Sequence, residues 1–129
     1  REKETKYSTD VGKFLYEPNA AIQKSGCHAM LTEEYNIGKL HPNSQLYTSD
    51  NLVEQFPGRI FTVERVCGFT KGEIKEIQAL KQANITVRNF PESVQLLRKK
   101  LKLADGGDNY IFATTLANNN RVLLLCKKA

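Results

Sequence analysis

The chain has 129 residues, 40% of them hydrophobic and 26% charged, the balance of an ordinary globular domain or of two small units sharing a core. Its longest apolar run, Val122 to Cys126, falls far short of the roughly 20 residues a bilayer helix needs, so no membrane contact is expected. The net charge of +5 is uneven, with seven basic and nine acidic residues in 1–64 against twelve and five in 65–129. A basic half attracts polyanions, which makes nucleic acid the leading partner class; a basic surface kept for solubility is the plainer alternative.

The first ten residues, REKETKYSTD, are charged and have no apolar stretch, so they do not read as a secretory signal. A start on arginine inside a polar run predicts a piece of a longer protein, with 1–10 as a linker remnant. KFLYEP (13–18) alternates as a short strand, and Pro18 suits the first turn of a following helix. The pattern from Asn19 to Asn36 is helical but interrupted, and Gly26 is expected to divide it. KLHPNSQLYTSD (39–50) holds a proline turn and a strand at 45–48, after which Ser49 or Asp50 could cap a short helix through Gln55.

RIFTVERVCGF (59–69) is the longest strand candidate, with Ile60, Thr62, Glu64 and Val66 on one face and Phe61, Val63, Arg65 and Cys67 on the other. A helix over 72–82 carries a narrow stripe of Ile74, Ile77 and Leu80. NITVRNF (84–90) is a strand with Ile85 and Val87 inward, and Pro91 opens the next helix. That helix buries Val94, Leu97 and Leu101 and turns Gln95, Arg98, Lys99 and Lys102 outward. NYIFATTL and RVLLLCKK flank ANNN as a hairpin. The C-terminal half therefore reads β-α-β-α-β-β, and the whole chain reads as α+β, two small units joined near Phe56 to Arg59.

No catalytic constellation stands out. Three cysteines at wide spacing, Cys27, Cys67 and Cys126, with only His28 and His41 as nitrogen donors, do not supply the paired ligands of a zinc site and read as buried, reduced thiols. Adjacent Cys27 and His28 on a helix point about 100° apart, so they form no nucleophile–base dyad, and His41 before Pro42 reads as a loop residue. There is no GxGxxG after a strand and no GxxxxGK[ST], hence no cradle for a dinucleotide, a nucleoside triphosphate or S-adenosylmethionine. Asp105 and Asp108 flank Gly106 and Gly107 in a turn that favours such residues. The glycines could also let the backbone approach a partner closely. Lys99, Lys100 and Lys102 sit near a helix C-terminus, where the macrodipole favours them by ~0.3–1 kcal/mol each. With Arg88, Arg98 and Arg121 they are equally the candidate phosphate contacts, and their release of counterions would make binding salt-dependent. Tyr110 and Phe112 could stack on bases, although alternation points them into the core.

The strings LYEPNAAI (15–22), KLHPNSQLYTSD (39–50), FPGRIF (56–61), VRNFPESVQLLRKKLKLADGGDNYIFATTL (87–116) and RVLLLCKK (121–128) together resemble the C-terminal region of a Bacteroidetes family of class I S-adenosylmethionine-dependent methyltransferases. The resemblance implies a ferredoxin-like subdomain over 11–58 and a THUMP-like subdomain over 59–129, both α/β sandwiches, behind an N-terminal Rossmann-type catalytic domain. It implies S-adenosylmethionine as a cofactor of the parent protein and none in this stretch, structured RNA as the partner, a catalytic domain in cis, and a cytoplasmic setting. On this reading the chain is a non-catalytic recognition region gripping phosphates through Arg88, Arg98, Lys99, Lys100, Lys102 and Arg121. The alternative is a module that packs on or dimerises the methyltransferase domain without touching nucleic acid.

Overall fold

Strand β1 (Phe14–Pro18) alternates as expected: Phe14 and Tyr16 enter one apolar cluster and Leu15 another, on the opposite face. Pro18 closes the strand instead of opening a helix; Asn19 takes the N-cap and accepts the Ile22 N–H at 3.1 Å, because its free side-chain oxygen can satisfy an orphan helix donor. The computed structural model describes residues 4–129. Helix α1 (Ala20–Ser25) stops where Gly26 adopts a left-handed φ of 70°, and α2 (His28–Glu34) follows, so the expected division at Gly26 holds.

Strands β2 (Gly38–His41) and β3 (Ser44–Ser49) form a hairpin, so His41 ends a strand instead of lying in a loop. Ser49 and Asp50 cap no helix: residues 50–57 contain bends and turns. Ser49 Oγ bonds the Tyr16 hydroxyl at 2.7 Å, and Asp50 accepts the Lys13 N–H at 3.2 Å. Both residues thus tie down the end of β1, while Phe56 returns to plug the cluster of Tyr16, Leu31, Ile37 and Tyr47.

Strand β4 (Gly58–Cys67) pairs with β1 on one side and with the last strand on the other. At its start Gly58 lies so close to β1 that a Cβ would fall 2.1 Å from the Glu17 carbonyl oxygen, which no other residue can meet without shifting the backbone. Helix α3 (Lys71–Gln78) begins with a capping box: Thr70 Oγ1 accepts the Glu73 N–H at 3.2 Å and Glu73 accepts back from the Thr70 N–H. β5 (Asn84–Arg88) leads to α4 (Val94–Leu101), whose N-cap is Ser93, two residues beyond Pro91. β6 (Tyr110–Thr115) and β7 (Arg121–Lys128) make the expected hairpin.

Among the described residues, the seven strands belong to one sheet in the order β2-β3-β1-β4-β7-β6-β5, antiparallel except for the β5–β6 pair. The join near Phe56 to Arg59 is therefore bridged by strand pairing, since β1 and β4 hydrogen-bond along five residue pairs. The sheet curls on itself. Ser44 of β3 donates to the Thr115 carbonyl of β6 at 2.9 Å and accepts from Thr114 at 3.1 Å, although three strands separate β3 from β6 in the ladder. Inside the curl, Leu15, Leu40 and Leu46 meet Phe61, Phe112, Val122, Leu124 and Cys126. Outside it, Ile77 of α3 and Leu97 and Leu101 of α4 pack with Cys67, Ile85, Ile111 and Leu123 of the sheet, and the N-terminal helices border the Tyr16–Phe56 cluster.

A β-bulge between Val63 and Arg65 corrects the expected two-face reading of β4. One extra residue reverses the alternation, so Phe61 and Val63 face the inner cluster whereas Cys67 joins the outer one. Within the stretch expected to be a linker remnant, Lys39 donates to the Lys6 carbonyl at 2.8 Å and Ser8 donates to Lys39 at 2.9 Å; residues 1–3 of that stretch lie outside the described residues.

Cys67 and Cys126 are buried as expected, but Cys27 is exposed at the N-cap of α2. Burial pushes the Cys126 thiol up to about 12. Since the thiolate is the nucleophile, a thiol-reactive dye at neutral pH is expected to label Cys27 alone in the native chain and all three cysteines in denaturant.

Backbone and side-chain donors from Gly68 and Thr70 hold the Glu73 carboxyl below its ordinary value of 4.5. A depressed folded value means stability present above 4.5 and lost as pH falls through the lower, folded value. Urea titrations should show Thr70→Ala costing about 1 kcal/mol and Glu73→Gln flattening the loss of stability below that pH.

Candidate nucleic-acid interface

Helix α4 forms because Leu97 and Leu101 can be buried on one side while Ser93 satisfies the first turn, its Oγ accepting the Leu96 N–H at 3.2 Å. It ends at Lys102, whose φ of 52° is left-handed. The cations on its outer side have different employments. Arg98 turns back under the helix end, donating to the Ala83 carbonyl at 3.1 Å and the Leu103 carbonyl at 3.4 Å and pairing with Asp105 at 2.9 Å. Lys100 pairs with Glu92 at 3.0 Å. Lys99 and Lys102 are exposed to solvent, and among the described residues neither side chain has a partner.

The Asp105–Asp108 turn is held from beneath. Gln82 donates to the Asp105 carbonyl at 2.8 Å and Asn84 to the Gly107 carbonyl at 2.9 Å. Gly106 and Gly107 have φ of 98° and 82°, and a Cβ on Gly107 would lie 2.8 Å from the Gln82 side chain. The close approach that these glycines permit is thus to Gln82 of the same chain. Asp108 is exposed at the far end of the turn.

Arg88 lies away from the helix stripe. It points into the curl from the end of β5 and pairs with Glu17 of β1 at 2.8 Å, while Arg59 of β4 pairs with the other carboxylate oxygen at 2.6 Å. The Glu17 side chain is only 7% exposed, against 47% for Arg59 and 32% for Arg88. One buried carboxylate therefore joins β1, β4 and β5, and the Arg88 Nε is buried with no partner among the described residues. Arg121 starts β7 in the open and borders a depression of about 400 Å3 with Asn89, Phe90, Pro91 and Thr115. The six candidate cations thus lie in three places: the α4 surface, the Glu17 cluster and the rim beside Phe90.

Phe112 is fully buried, while Tyr110 is partly exposed against Phe61, with ring centroids 5.1 Å apart. Lys128 Nζ lies 5.7 Å from the centre of the Tyr110 ring, and the Arg59 guanidinium 5.2 Å from that of Phe61. Arg59, Lys127 and Lys128 did not figure among the sequence candidates; the terminal KK after an apolar run was the available signal.

The β2–β3 turn lies beside the β6–β7 turn and is fastened by side chains. His41 Nδ1 accepts the Asn43 N–H at 3.0 Å, which leaves Nε2 to donate to Asn119 at 3.0 Å. Lys39, buried on β2, donates to the Pro42 carbonyl at 2.8 Å, and its burial lowers its pKa. His28 bonds the Tyr47 hydroxyl at 2.8 Å; burial, then the charge of Lys39, lowers its pKa, and burial raises that of Tyr47. These groups are engaged with one another in the wall of the fold.

A curled mixed sheet, helices on its outer faces and a basic C-terminal unit of β-α-β-α-β-β order define a ferredoxin-like unit followed by a THUMP-like one. Residues 14–57 match the ferredoxin-like domain family and residues 58–128 the THUMP domain-like family; the chain belongs to this THUMP-like family. It is also similar to the crystal structure of a protein of Porphyromonas gingivalis W83 named as a candidate methyltransferase, with a TM-score of 0.90 and 39% identity over 98% of this chain. This chain spans 32% of the length of that protein. No curated protein matches it.

Removing one partner of a buried pair leaves the other charges uncompensated. Glu17→Ala is expected to destabilise the chain by about 1–3 kcal/mol, discounted because both arginines keep contact with water, whereas Arg59→Ala should cost less since Arg88 still holds the carboxylate. Chemical denaturation of the two variants checks the order.

Proposed function

We propose that this chain is the substrate-recognition region of an RNA methyltransferase whose catalytic domain lies upstream, and that it is not catalytic by itself. The observation that carries the reading is the THUMP domain-like match over residues 58–128, in a chain 39% identical to about a third of a candidate methyltransferase. The excess of positive charge in that same half supports it. S-adenosylmethionine would belong to the upstream domain. In this chain the strand-to-helix loops carry the Thr70 and Ser93 caps and no G-x-G-x-x-G turn to hold a nucleotide-like cofactor.

Lys99, Lys102 and Arg121 are the sequence candidates best suited to phosphates, because no carboxylate among the described residues neutralises them. Arg88, Arg98 and Lys100 are each paired within the chain and would contribute through what remains of their charge. The alternative, a module that packs on or dimerises the methyltransferase domain, draws support from that internal pairing: three of the six cations have structural employment.

The test is binding of the chain to a pool of structured RNA at low and at near-physiological salt, beside a variant with Lys99, Lys102 and Arg121 changed to glutamine. Salt-sensitive binding by the parent chain, with the salt slope reduced by roughly 2–3 in the variant, is expected. No binding by the parent at either salt would overturn RNA recognition and leave the packing module.

A further inference from the structure

We propose that the mouth of the curled sheet, formed by Arg59, Tyr110, Lys127 and Lys128, is a site for single-stranded RNA, with one base stacked on Tyr110 and its flanking phosphates held by the cations. This rests on the RNA reading above and names a different surface from the α4 stripe.

Strand pairing builds the site. Phe61 of β4 stands opposite Lys128 of β7, and Tyr110 of β6 opposite Cys126. Two residues before Phe61, Arg59 has the same inward direction, as its 5.2 Å approach to the Phe61 ring shows. The aromatic pair is asymmetric. Phe61 is fully buried and serves as backing, whereas Tyr110 remains partly exposed and opens on a depression of about 400 Å3 that it lines with Asp108, Lys127 and Lys128. A partly exposed ring, held from behind by another ring and flanked by cations, is the arrangement that stacks an unpaired base while neutralising its backbone.

The charge balance fits the same occupant. Lys127 and Lys128 have no acidic partner among the described residues, and Lys128 already rests on the Tyr110 ring. Arg59 and Arg88 share the single carboxylate of Glu17, so the cluster keeps an excess of positive charge. The Arg59 guanidinium is held by one bond from Nε, at 2.6 Å, which leaves its terminal nitrogens available while fixing its direction. Preorganised donors lose less freedom on binding a phosphate than a free side chain does. Asp108 is the acidic group on the rim; it would repel a phosphate and accept from a base amino group, which favours the base lying toward the DGGD turn.

The chain contains no tryptophan, so Tyr110→Trp introduces a lone indole whose emission reports stacking. The expected result is quenching of this variant by a short single-stranded RNA oligomer and much weaker quenching by the same sequence in a blunt duplex. In parallel, Tyr110→Leu is expected to weaken single-strand binding about tenfold while Tyr110→Phe preserves it. Lys127→Gln with Lys128→Gln should reduce the salt slope by roughly 1.4. Thermal melting of each variant separates lost binding from lost folding, and Tyr110→Phe keeps the ring in place if Tyr110→Leu does not fold.

If the parent chain binds RNA but the indole emission of the Tyr110→Trp variant is unmoved and the Lys127/Lys128 variant binds as the parent does, the mouth is not the site, and the α4 surface keeps the RNA reading alone. Quenching by a polyglutamate peptide and not by RNA would also overturn it, marking an acidic protein segment as the occupant. If the parent binds no RNA at any salt, this inference falls together with the reading on which it rests.

Discussion

The carboxylate of Glu17, buried between Arg59 and Arg88, fixes how the two halves of the sheet meet. Apolar burial supplies most of the driving force for the curl: the eight buried residues of the inner cluster contribute on the order of 1.5–3 kcal/mol for each large side chain removed from water. That force is non-directional, and it would accept several ways of laying one half on the other. A buried carboxylate has a narrower requirement. Leaving the ion unpaired costs several kcal/mol, and arginines from β4 and β5 meet both of its oxygens only when β5 has come round to β1. The ion triad therefore contributes chiefly to the choice of arrangement, and the leucines and phenylalanines to its stability. The Arg88 Nε, which has no partner among the described residues, marks where this compromise is incomplete.

The β4 bulge is the second device on which the arrangement depends. Ten residues of strand serve two cores on opposite faces, because the extra residue between Val63 and Arg65 lets Phe61 face the inner cluster and Cys67 the helices. Without it, strict alternation would put Phe61, Val63 and Cys67 on one side, and either the inner cluster would lose its aromatic floor or the outer one its Cys67 contact. The same strand carries Arg59 at its start and Arg65, ion-paired to Glu76 of α3, just past the bulge. Ferredoxin-like and THUMP-like portions are thus joined by a structural element, β4, that takes part in the packing of both.

How legible this was from the residues follows from the range of the interactions. Helix α4 and the β6–β7 hairpin could be read because their signals are local: Pro91 ahead of a Leu97–Leu101 spacing, although the cap proved to be Ser93, and an asparagine-rich turn between alternating runs. Strand β2 escaped because it is four residues long and carries a lysine at a buried position; Lys39 is satisfied there by its bond to the Pro42 carbonyl, which periodicity cannot foretell. The helix expected after Asp50 failed because Ser49 and Asp50 are claimed by Tyr16 and Lys13, both more than thirty residues distant. The bulge and the continuity of the sheet across Gly58 are likewise matters of pairing between distant segments. Among the site residues the run RKKLK was conspicuous, yet nothing local distinguishes Arg98, which braces the DGGD turn, from Lys99, which has no partner among the described residues.

That last distinction bears on how basic surfaces are interpreted. A cation near a helix C-terminus already has a structural reason in the macrodipole, and Arg98 and Lys100 acquire further reasons in Asp105 and Glu92. Their positive charge is largely returned to the fold. Among the described residues, Lys127 and Lys128 have neither a helix end nor a carboxylate to account for them; they follow the apolar run Val122–Cys126 of β7, beside an aromatic ring that is not fully covered. Charge without an internal explanation carries more information about a partner than charge density does, and by that measure the open end of the sheet is a stronger candidate for recognition than the helix whose sequence first drew attention.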